Sequence, residues 1–435
     1  MPTSAPSEPG IWDPAETLPR ERIREIQLER LRTTVGRVLG AKGLGARRLA
    51  AGGVARAEEV ASLRDLERIP FTVKADLRDS YPFGLLTVPR EQLVRVHASS
   101  GTGGKATVVA YTAADLDAWT ELMARCMTMA GVRRGMLIHN ANGYGLFTGG
   151  LGFHQGGERI GAAVVPVSGG FTARQAELLV DLAAQVLVAT PSYSLVIGQA
   201  VAEAGVDPAS LRLELGLLGG EPWSEGMRGQ IERQLGLRAI NFYGLSEMCG
   251  PGVAAECLVA RDGLHVQEDH FIAEVLHPES GDPVAEGDVG ELVLTTLTKE
   301  AMPLIRYRTG DLVTASTRPC ACGRSMMRLT GLNGRRDDMM VIRGVNVYPS
   351  HVEQLMLSVD GVAPHYRLVA ERDGALDELR LECEPAPGAD LDDLGARIGR
   401  HLREHMGLRV QVTVLAPGSI PRSEGKAVRV FDRRP

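Results

Sequence analysis

The chain has 435 residues, of which 44% are hydrophobic and 23% charged, and its formal net charge is −6. This composition is typical of a soluble globular protein, and the length predicts about three domain-sized units. The net charge gives no indication of nucleic-acid binding. The sequence contains no run of about 20 apolar residues, so it predicts no membrane span. Residues 1–10 lack the build of a signal peptide, which predicts a cytoplasmic protein with six reduced cysteines.

Apolar runs of strand length alternate with helical patterns through the middle of the chain. Residues 20–35 predict an amphipathic helix, with Ile23, Ile26, Leu28 and Leu31 near helical spacing. From about residue 93, short apolar runs such as that over 186–189 are separated by helix-like segments such as 172–183. This alternation predicts an α/β fold with largely parallel strands.

A smaller unit begins near Asp337. Its sequence predicts a helix over 350–359, strands over 366–370 and 379–383, a helix over 391–405 and a strand over 410–414. This βαβ-like set has the size of a small α+β domain. The expected architecture is therefore a large N-terminal α/β body, residues 1–336, with a small C-terminal α+β lid, residues 337–435.

One loop rich in glycine, serine and threonine suits a triphosphate, because it exposes backbone N–H groups and hydroxyls. The common P-loop pattern needs Gly and Ser or Thr where this chain has Ser99 and Ala106, which disfavours a P-loop NTPase. For this loop alone, a flexible surface hairpin is the alternative. The predicted phosphate-binding residues are Ser99, Ser100, Gly101, Thr102, Gly103, Gly104 and Lys105.

Further segments carry side chains suited to a nucleotide. The segment from Asn241 to Glu247 places an aromatic ring that can stack on a purine close to a carboxylate that can bind Mg²⁺. Asp311 can accept hydrogen bonds from a ribose diol. Arg335 lies in a charged, glycine-led segment where the two units meet. Lys426 lies on a turn near the C-terminus, where a solvated tail residue is the alternative for that lysine alone.

Together, in this order and at these separations, the segments resemble the adenylate-forming superfamily and, within it, the phenylacetate–CoA ligase family. The resemblance runs from about residue 70 to residue 434. It departs from the family at Gly103, where Thr is usual, and at Gly220, where Ala is usual. The change at Gly220 is expected to enlarge the adjoining acyl pocket. The segments that carry it are residues 69–74, 97–105, 143–152, 219–223, 243–247, 295–300, 335–338, 343–347 and 422–426.

The resemblance implies a two-step reaction, in which an acid and MgATP give acyl-AMP and pyrophosphate, and the sulfur of CoA then displaces AMP. It implies that Lys426 bridges the carboxylate and the α-phosphate and that Glu247 binds Mg²⁺. Asp311 and Arg335 are expected to hold the ribose, and Asp337 to be the hinge of the lid. The other ATP- and AMP-binding residues that it implies are Gly220, Glu221, Pro222, Asn241, Phe242, Tyr243, Gly244 and Ser246.

The expected substrate is a small aromatic acid, either phenylacetate or a benzoate-like acid such as an amino- or hydroxybenzoate, with the benzoate type slightly favoured. An aromatic acid needs flat apolar walls and a few polar anchors. By resemblance, Arg343 and Gly344 line the path of CoA, and the protein is a homodimer. The predicted acyl-pocket residues are Tyr144, Phe147, Gly149, Gly220 and Pro251.

Three alternatives remain for the function. The acyl group could pass to a carrier protein or an amine instead of CoA, and CoA-dependent release of AMP distinguishes these cases. A non-catalytic adenylate-binding protein is disfavoured because Glu247, Asp311 and Lys426 are all present. A general ATPase is disfavoured by the lack of a Walker pattern and of a base that could position water.

Four residues with metal-binding side chains predict a structural zinc site. Cys320 and Cys322 lie on one knuckle, with Cys257 and His265 upstream. Three thiolates and an imidazole make a closed tetrahedral set, which is structural rather than catalytic. The single residue between Cys320 and Cys322 is a tighter spacing than usual, so buried free thiols are the alternative, and His270 is the rival fourth ligand.

Overall fold

The chain forms a large unit and a small one, each with its own apolar core. The computed structural model describes residues 10–99, 107–373 and 376–434. We call residues 10–336 the body and residues 337–434 the lid. Buried side chains such as Leu217 and Leu294 fill the body, whereas Leu368, Leu381 and Ile398 fill the lid. The predicted fold class, an α/β body with a smaller α+β lid, is confirmed, and the domain boundary at residues 336/337 stays a prediction.

Helices cover both units, and within the described ranges none has the length and apolar character needed to cross a membrane. Short 3₁₀ turns lie at Pro14–Thr17, Ala57–Glu59, Leu63–Arg68, Arg90–Gln92, Pro208–Ser210 and Arg336–Asp338. The α-helices are α1 (Arg20–Ala41), α2 (Leu44–Ala51), α3 (Lys74–Asp79), α4 (Ala113–Met129), α5 (Gly149–Ile160), α6 (Thr172–Asp181), α7 (Pro191–Glu203), α8 (Glu225–Leu235), α9 (Pro349–Leu357) and α10 (Leu394–Met406).

The strands form one large sheet in the body, two short hairpins and a separate sheet in the lid. Those of the body are β1 (Arg95–Ala98), β2 (Val108–Tyr111), β3 (Leu137–Asn140), β4 (Ala163–Val165), β5 (Val186–Ala189), β6 (Leu215–Gly219), β7 (Arg238–Leu245), β8 (Gly250–Glu256), β9 (Leu264–Val266), β10 (Phe271–Leu276), β11 (Gly290–Thr296), β12 (Tyr307–Ser316) and β13 (Arg328–Arg335). Those of the lid are β14 (Met340–Ile342), β15 (Val345–Val347), β16 (Val362–Asp373), β17 (Leu376–Pro385), β18 (Gln411–Val414) and β19 (Val430–Asp432).

The large sheet changes from parallel to antiparallel at β7. Its order is β10-β11-β12-β13-β9-β8-β7-β6-β5-β3-β4. The strands β3 to β7 pair in parallel, and every pairing from β7 to β10 in this order is antiparallel. Parallel neighbours end at the same edge of a sheet, so the loops after β5, β6 and β7 lie side by side.

Local sequence explains why these loops are well defined. All four residues of β5 and the first four of β6 are buried, as expected for parallel strands that are covered on both faces. Helix α7 follows β5 directly, because the Thr190 hydroxyl accepts the N–H of Tyr193 and Pro191 occupies the first helical position. The loop after β5 is therefore held at both ends by regular structure.

Several predicted helix bounds differ from the observed ones, among them those of the lid helices predicted over 350–359 and 391–405, and two ends in the body have a clear cause. The helix predicted over 172–183 ends at Asp181, because Ala183 has a φ of 48°, which a right-handed helix cannot include. The helix predicted over 20–35 continues to Ala41 and ends where Lys42 takes the left-handed conformation.

The lid contains the predicted βαβ unit. Strand β17, helix α10 and strand β18 follow one another, and β18 pairs in parallel with β17. The sheet order is β18-β17-β16-β19, with β16 and β17 forming an antiparallel hairpin and β19 lying parallel to β16. The parallel pairing of β19 carries the chain from the turn that holds Lys426 back into the lid.

Candidate active site

One turn of the lid meets the carboxyl ends of the parallel strands, and we call the region between them the cleft. Thr190 follows β5, Gly220 follows β6 and Glu247 follows β7. Ligands of open α/β sheets bind at this edge. Lys426 reaches the same place from the lid, because a Cβ placed on Gly220 would lie 3.5 Å from Lys426 Cε.

Lys426 is surrounded by the charged residues that the sequence assigned to the nucleotide. Surrounding protein atoms lower the pKa of Lys426, and the carboxylate of Glu221 opposes that shift most strongly. Arg335 lowers the pKa further, whereas Glu247 and Asp311 raise it. The structure therefore brings together residues that lie far apart in the sequence. The Lys426 side chain stays exposed to the cleft, as access to a substrate requires.

Glu221 lies in a position that the sequence did not predict. One carboxylate oxygen accepts the backbone N–H of Ser192 at 2.6 Å, and the other accepts that of Ala427 at 3.0 Å. On the other side of the lysine, the Thr190 hydroxyl donates to the carbonyl of Gly425 at 3.0 Å. The body thus holds the residues on both sides of Lys426. The predicted contact of Gly220, Glu221 and Pro222 with adenine stays a prediction.

Asp311 and Tyr243 form a short hydrogen bond at the end of the cleft. The Tyr243 hydroxyl donates to Asp311 Oδ2 at 2.5 Å, and Arg335 Nε lies 3.7 Å from Asp311 Oδ1. Burial raises the pKa of Asp311, and the Arg335 guanidinium and the Tyr243 hydroxyl oppose that shift. A carboxylate so held keeps lone pairs free for further donors, such as the two hydroxyls of a ribose.

The turn that carries Glu247 is supported by Lys299, to which the sequence assigned no role. Lys299 Nζ donates to the carbonyls of Glu247 at 3.2 Å and Met248 at 2.7 Å. The same ammonium lies 4.7 Å from the ring centroid of Tyr111, whose hydroxyl donates to the carbonyl of Cys249 at 3.1 Å. Burial lowers the pKa of Lys299 to about 8. The available signal was scarcity, since Lys299 is one of five lysines in the chain.

The predicted phosphate loop joins the hairpin of β1 and β2. Ser99 is bonded to Thr107 across the hairpin, by its N–H to the Thr107 carbonyl at 2.9 Å and by its Oγ to the Thr107 N–H at 3.1 Å. The other predicted phosphate-binding residues lie outside the described residues, namely Ser100, Gly101, Thr102, Gly103, Gly104 and Lys105.

Comparison with known proteins identifies the family to which the chain belongs. The chain is 49% identical to a phenylacetate-coenzyme A ligase of Thermus thermophilus, over 96% of this chain and 98% of that one. It is 44% identical to the enzyme of the same name from Escherichia coli, over 97% of each chain. The chain belongs to the phenylacetate–CoA ligase family. In addition, the model of the AMP-binding enzyme C-terminal domain matches residues 344–434.

Solved structures add information on the position of the lid. A 2-hydroxyisobutyryl-CoA ligase in its postadenylation state, bound to 2-HIB-AMP, has a TM-score of 0.92 at 30% identity, covering 99% of this chain and 94% of that one. The same ligase with 2-HIB-AMP and CoA in the thioester-forming state has a TM-score of 0.74 over the same share of both chains. This chain is thus an acid–thiol ligase that proceeds through acyl-AMP. The higher TM-score shows that its lid has the postadenylation orientation rather than the thioester-forming one.

The other predicted nucleotide residues lie along β7 and in the turn after it. The N–H of Asn241 donates to Glu256 Oε2 at 2.8 Å. Gly244 packs so closely on β8 that a Cβ would lie 2.0 Å from the Gly250 carbonyl oxygen. Ser246 lies next to Glu247. Phe242 requires a correction: its ring is 3% exposed and packs in the core, because alternate residues of a strand face opposite sides. The Phe242 side chain therefore packs in the core and does not face the nucleotide.

Apart from Gly220, which follows β6, the predicted acyl-pocket residues lie around the start of α5. The Tyr144 hydroxyl accepts from Asn140 Nδ2 at 2.8 Å and lies 3.1 Å from His154 Nδ1, so its polar end is already bonded. Gly149 is the first residue of α5. Pro251 lies at the base of the same region, where its carbonyl accepts the indole N–H of Trp119 at 2.7 Å. Phe147 is 47% exposed, so in this state its ring does not form an enclosed wall.

The predicted hinge residue lies at the start of the lid, and the predicted CoA residues lie in the first hairpin of the lid. Asp337 is in the turn after β13, with an oxygen 3.7 Å from Arg335 Nη2. Arg343 and Gly344, with φ of 52° and 80°, form the two-residue turn between β14 and β15. In this orientation the Arg343 guanidinium donates to the Asp377 carbonyl at 3.1 Å and to the Glu378 carboxylate. Their roles in hinge motion and CoA binding stay predictions.

Four potential metal ligands converge away from the cleft. Ligand atoms of Cys257, His265, Cys320 and Cys322 all lie within 4.8 Å of one another, and the four residues are buried. His270 is held elsewhere, because its Nδ1 lies 2.8 Å from Thr298 Oγ1 and its Nε2 3.3 Å from Asp269 Oδ2. The structure therefore brings His265, and not the rival His270, to the three cysteines.

Proposed function

We propose that this ligase activates an aromatic carboxylic acid with MgATP and transfers the acyl group to CoA, with phenylacetate as the first acid to test. The observation that supports the proposal most directly is the position of Lys426, whose Cε lies 3.5 Å from where a Cβ on Gly220 would stand, at the carboxyl end of β6. The charges of Glu247, Asp311 and Arg335 act on the pKa of this lysine. The postadenylation orientation of the lid supports it further, because the matching ligase has an acyl-adenylate bound in that state.

In the first step, a carboxylate oxygen of the acid attacks the α-phosphorus of ATP, and pyrophosphate leaves. Two anionic groups must approach each other, so the reaction needs positive charge and no side-chain nucleophile. Lys426 supplies this charge between the carboxylate and the α-phosphate. The carboxylate of Glu247 would hold the Mg²⁺ of MgATP, which would supply further positive charge to the phosphates. Asp311 and Arg335 orient the nucleotide through its ribose.

In the second step, the sulfur of CoA attacks the carbonyl carbon of the mixed anhydride, and AMP leaves. Lys426 is not needed at this stage, so the lid turns about Asp337 and opens a path on which Arg343 and Gly344 meet CoA. Transfer to a carrier protein or an amine is the second candidate for this step, as inferred from the sequence. The cytoplasmic location and the homodimer belong to the same proposal.

The identity of the acid rests on the acyl pocket and on the relatives. Phenylacetate-coenzyme A ligases from four bacteria are 42–49% identical to this chain. The 2-hydroxyisobutyryl-CoA ligase, whose named substrate is a small branched acid, is 30% identical. A Cβ on Gly220 would lie 3.5 Å from Lys426 Cε, so the absence of a side chain there leaves space next to the lysine for the acyl group. Benzoate-type acids remain the alternative substrates.

The experiment is pyrophosphate release across phenylacetate, benzoate, amino- and hydroxybenzoates and 2-hydroxyisobutyrate, with and without CoA. Release with an aromatic acid and a CoA thioester identified by mass supports the proposal. Release without a thioester supports a carrier protein or an amine as the acceptor. Silence with every aromatic acid overturns the proposed substrate class.

A matching variant tests the role of Lys426. Lys426→Ala is expected to slow adenylate formation by at least about a hundredfold, the loss typical of removing one group that stabilises developing charge. Thioester formation from supplied acyl-AMP and CoA is expected to stay near the wild-type rate. Equal loss of both half-reactions would contradict the assignment of Lys426 to the first step.

We further propose that the buried quartet holds a structural zinc ion. Cys257 Sγ and Cys320 Sγ are 3.8 Å apart, and Cys322 Sγ and His265 Nε2 are 3.6 Å apart. Tetrahedral zinc with bonds of about 2.3 Å to sulfur and about 2.0–2.1 Å to nitrogen separates two sulfurs by about 3.8 Å and sulfur from nitrogen by about 3.6 Å. These two pairs of ligand atoms therefore have the separations expected around one zinc ion, which supports the proposal.

Metal analysis tests this site independently of catalysis. Purified protein is expected to contain about one zinc per chain, since four protein ligands close a structural site. Cys320→Ser is expected to lose the metal and to unfold at a lower temperature, whereas Cys383→Ser, in the core of the lid, is expected to keep it. A metal-free protein with unchanged stability would refute the zinc proposal.

A further inference from the structure

The turn that carries Lys426 is fixed by the body at the residues on both sides of the lysine. Gly425 accepts a hydrogen bond from the Thr190 hydroxyl at 3.0 Å, and Ala427 donates one to the Glu221 carboxylate at 3.0 Å. These two bonds hold the backbone of the turn and leave the ammonium free for a substrate. An ordinary flexible terminal segment has no such attachment.

The two groups on the body are themselves held by α7. The Thr190 hydroxyl accepts the N–H of Tyr193 at 3.2 Å while it donates to the lid, which uses its one hydrogen and one of its lone pairs. The second oxygen of Glu221 accepts the N–H of Ser192 at 2.6 Å. The first turn of α7 therefore fixes both attachment points, and a regular element positions a functional group more accurately than a loop does.

A third attachment lies three residues beyond Lys426. Arg429 donates from Nη2 to Ser192 Oγ at 2.8 Å and from Nη1 to Glu353 Oε2 at 2.6 Å. Glu353 also accepts the N–H of Ser224, the residue that caps α8, at 3.2 Å, and the hydroxyl of Tyr366 at 2.9 Å. Arg429 and Glu353 belong to the lid, whereas Ser192 and Ser224 belong to the body. The network therefore crosses the interface twice.

We propose that Thr190, Ser192 and Glu221 of the body, together with Arg429 of the lid, are positioning residues that hold Lys426 for adenylate formation. This inference rests on the proposed role of Lys426. Each of these four residues makes a hydrogen bond between the body and the lid, and a turn of the lid breaks those bonds. Their contribution is therefore confined to the first half-reaction.

The orientation of the lid supports this restriction. The structure superposes on the postadenylation state of the 2-hydroxyisobutyryl-CoA ligase with a TM-score of 0.92, and on its thioester-forming state with 0.74. Bonds that exist in one of two orientations shift the population toward that orientation. Their loss is expected to slow adenylate formation, and to leave thioester formation unchanged or to make it faster.

Ser192→Ala is the clean test, because alanine is tolerated in a helix and only the acceptor for Arg429 is lost. Removing a hydrogen bond to a charged group predicts roughly a tenfold slower adenylate formation. Thioester formation from supplied acyl-AMP and CoA is expected at or above the wild-type rate. Ser194→Ala is the matched control, because the Ser194 hydroxyl donates within α7, to the Thr190 carbonyl at 3.0 Å. It is expected to leave the ratio of the two half-reactions unchanged.

Two variants of Thr190 provide a second test. Thr190→Ser keeps the hydroxyl and is expected to retain near wild-type adenylate formation, whereas Thr190→Val loses it and is expected to resemble Ser192→Ala. Equal loss of both half-reactions in Ser192→Ala, or no loss in either, overturns the proposal. Lys426→Ala, assayed in parallel, separates the two ideas: a normal first half-reaction in that variant refutes the role of Lys426 itself, whereas a defect there with an unaffected Ser192→Ala refutes only the positioning network.

Discussion

Replacing Tyr243 by phenylalanine is expected to change how the activity at limiting ATP depends on pH. The loss of activity on the acid side of the pH profile is expected to begin at a higher pH than in the wild type. The Tyr243 hydroxyl donates to Asp311 Oδ2 at 2.5 Å, and the substitution deletes this bond while it keeps the ring. Asp311 is the residue proposed to accept the ribose hydroxyls, a role that its ionised form performs. Anything that makes ionisation of Asp311 harder therefore weakens ATP binding at low pH.

The direction in which the pKa of Asp311 shifts follows from the groups around its carboxylate. Burial raises the pKa of Asp311, the guanidinium of Arg335 and the Tyr243 hydroxyl lower it, and Glu247 and Asp338 raise it again. Loss of the hydroxyl removes a hydrogen bond to a charged group, which contributes about 1.5–3 kcal/mol. Without this bond the ionised form of Asp311 is less stable, so the pKa of Asp311 is expected to rise. Because the carboxylate is lost as pH falls through its pKa, Tyr243→Phe loses activity at a higher pH than the wild type.

The assay is pyrophosphate release at limiting ATP, saturating acid and saturating Mg²⁺, measured from about pH 5 to pH 9. Protonation of ATP itself affects both proteins equally, so the difference between the two profiles isolates the protein. Asp311→Asn serves as the control, since it removes this titration and is expected to lower activity at every pH. Superimposable profiles, or an acid limb that moves to lower pH in Tyr243→Phe, would refute the reasoning.

Two further substitutions test the supports of the site. Lys299→Met keeps the apolar stem but leaves the carbonyls of Glu247 and Met248 without their donor, so it is expected to lower the free energy of unfolding by about 2 kcal/mol and to raise the Mg²⁺ concentration for half-maximal activity; an unchanged Mg²⁺ titration would exclude a positioning role. Arg228 is buried and donates to both carboxylate oxygens of Glu256 at 2.9 Å. Glu256→Ala removes this buried partner and is expected to lower the free energy of unfolding, measured in urea, by about 3–5 kcal/mol. Its control is Glu225→Ala, whose pair with Arg228 is exposed on the glutamate side and is expected to cost less than about 1 kcal/mol.

Sequence patterns predicted the elements of the fold because those patterns are local. The continuous apolar runs of β5 and β6 are typical of parallel strands that are buried on both faces. Helix ends were less predictable, because the end of α6 depends on the positive φ of Ala183, which no hydrophobic period records. Phe242 shows a second limit. Membership of a motif did not reveal that its ring faces the core while Tyr243, the next residue, reaches Asp311.

The fourth ligand of the metal quartet illustrates how tertiary register decides what spacing leaves open. His265 and His270 are both close to Cys257 in sequence, so the spacing did not choose between them. In the structure, His265 is the middle residue of β9, paired with Ala255 of β8 on one side and Arg328 of β13 on the other. Its neighbours along those strands bring Cys257 and the Cys320 knuckle to it.

The same limit applies with more force to the placement of Lys426. Glu221 and Ala427 are separated by 206 residues, and their hydrogen bond joins a side chain to a backbone N–H, which any residue but proline supplies. No motif at residue 427 could have indicated such a partner. The sequence marked Lys426 through its own type and position, whereas the groups that hold it are identifiable only once β5 and β6 end side by side and the lid has closed over them. The local sequence thus identifies the catalytic lysine, but the position of its charge depends on two strand ends and on one orientation of the lid. Variants that disturb this orientation are therefore expected to slow adenylate formation without slowing thioester formation.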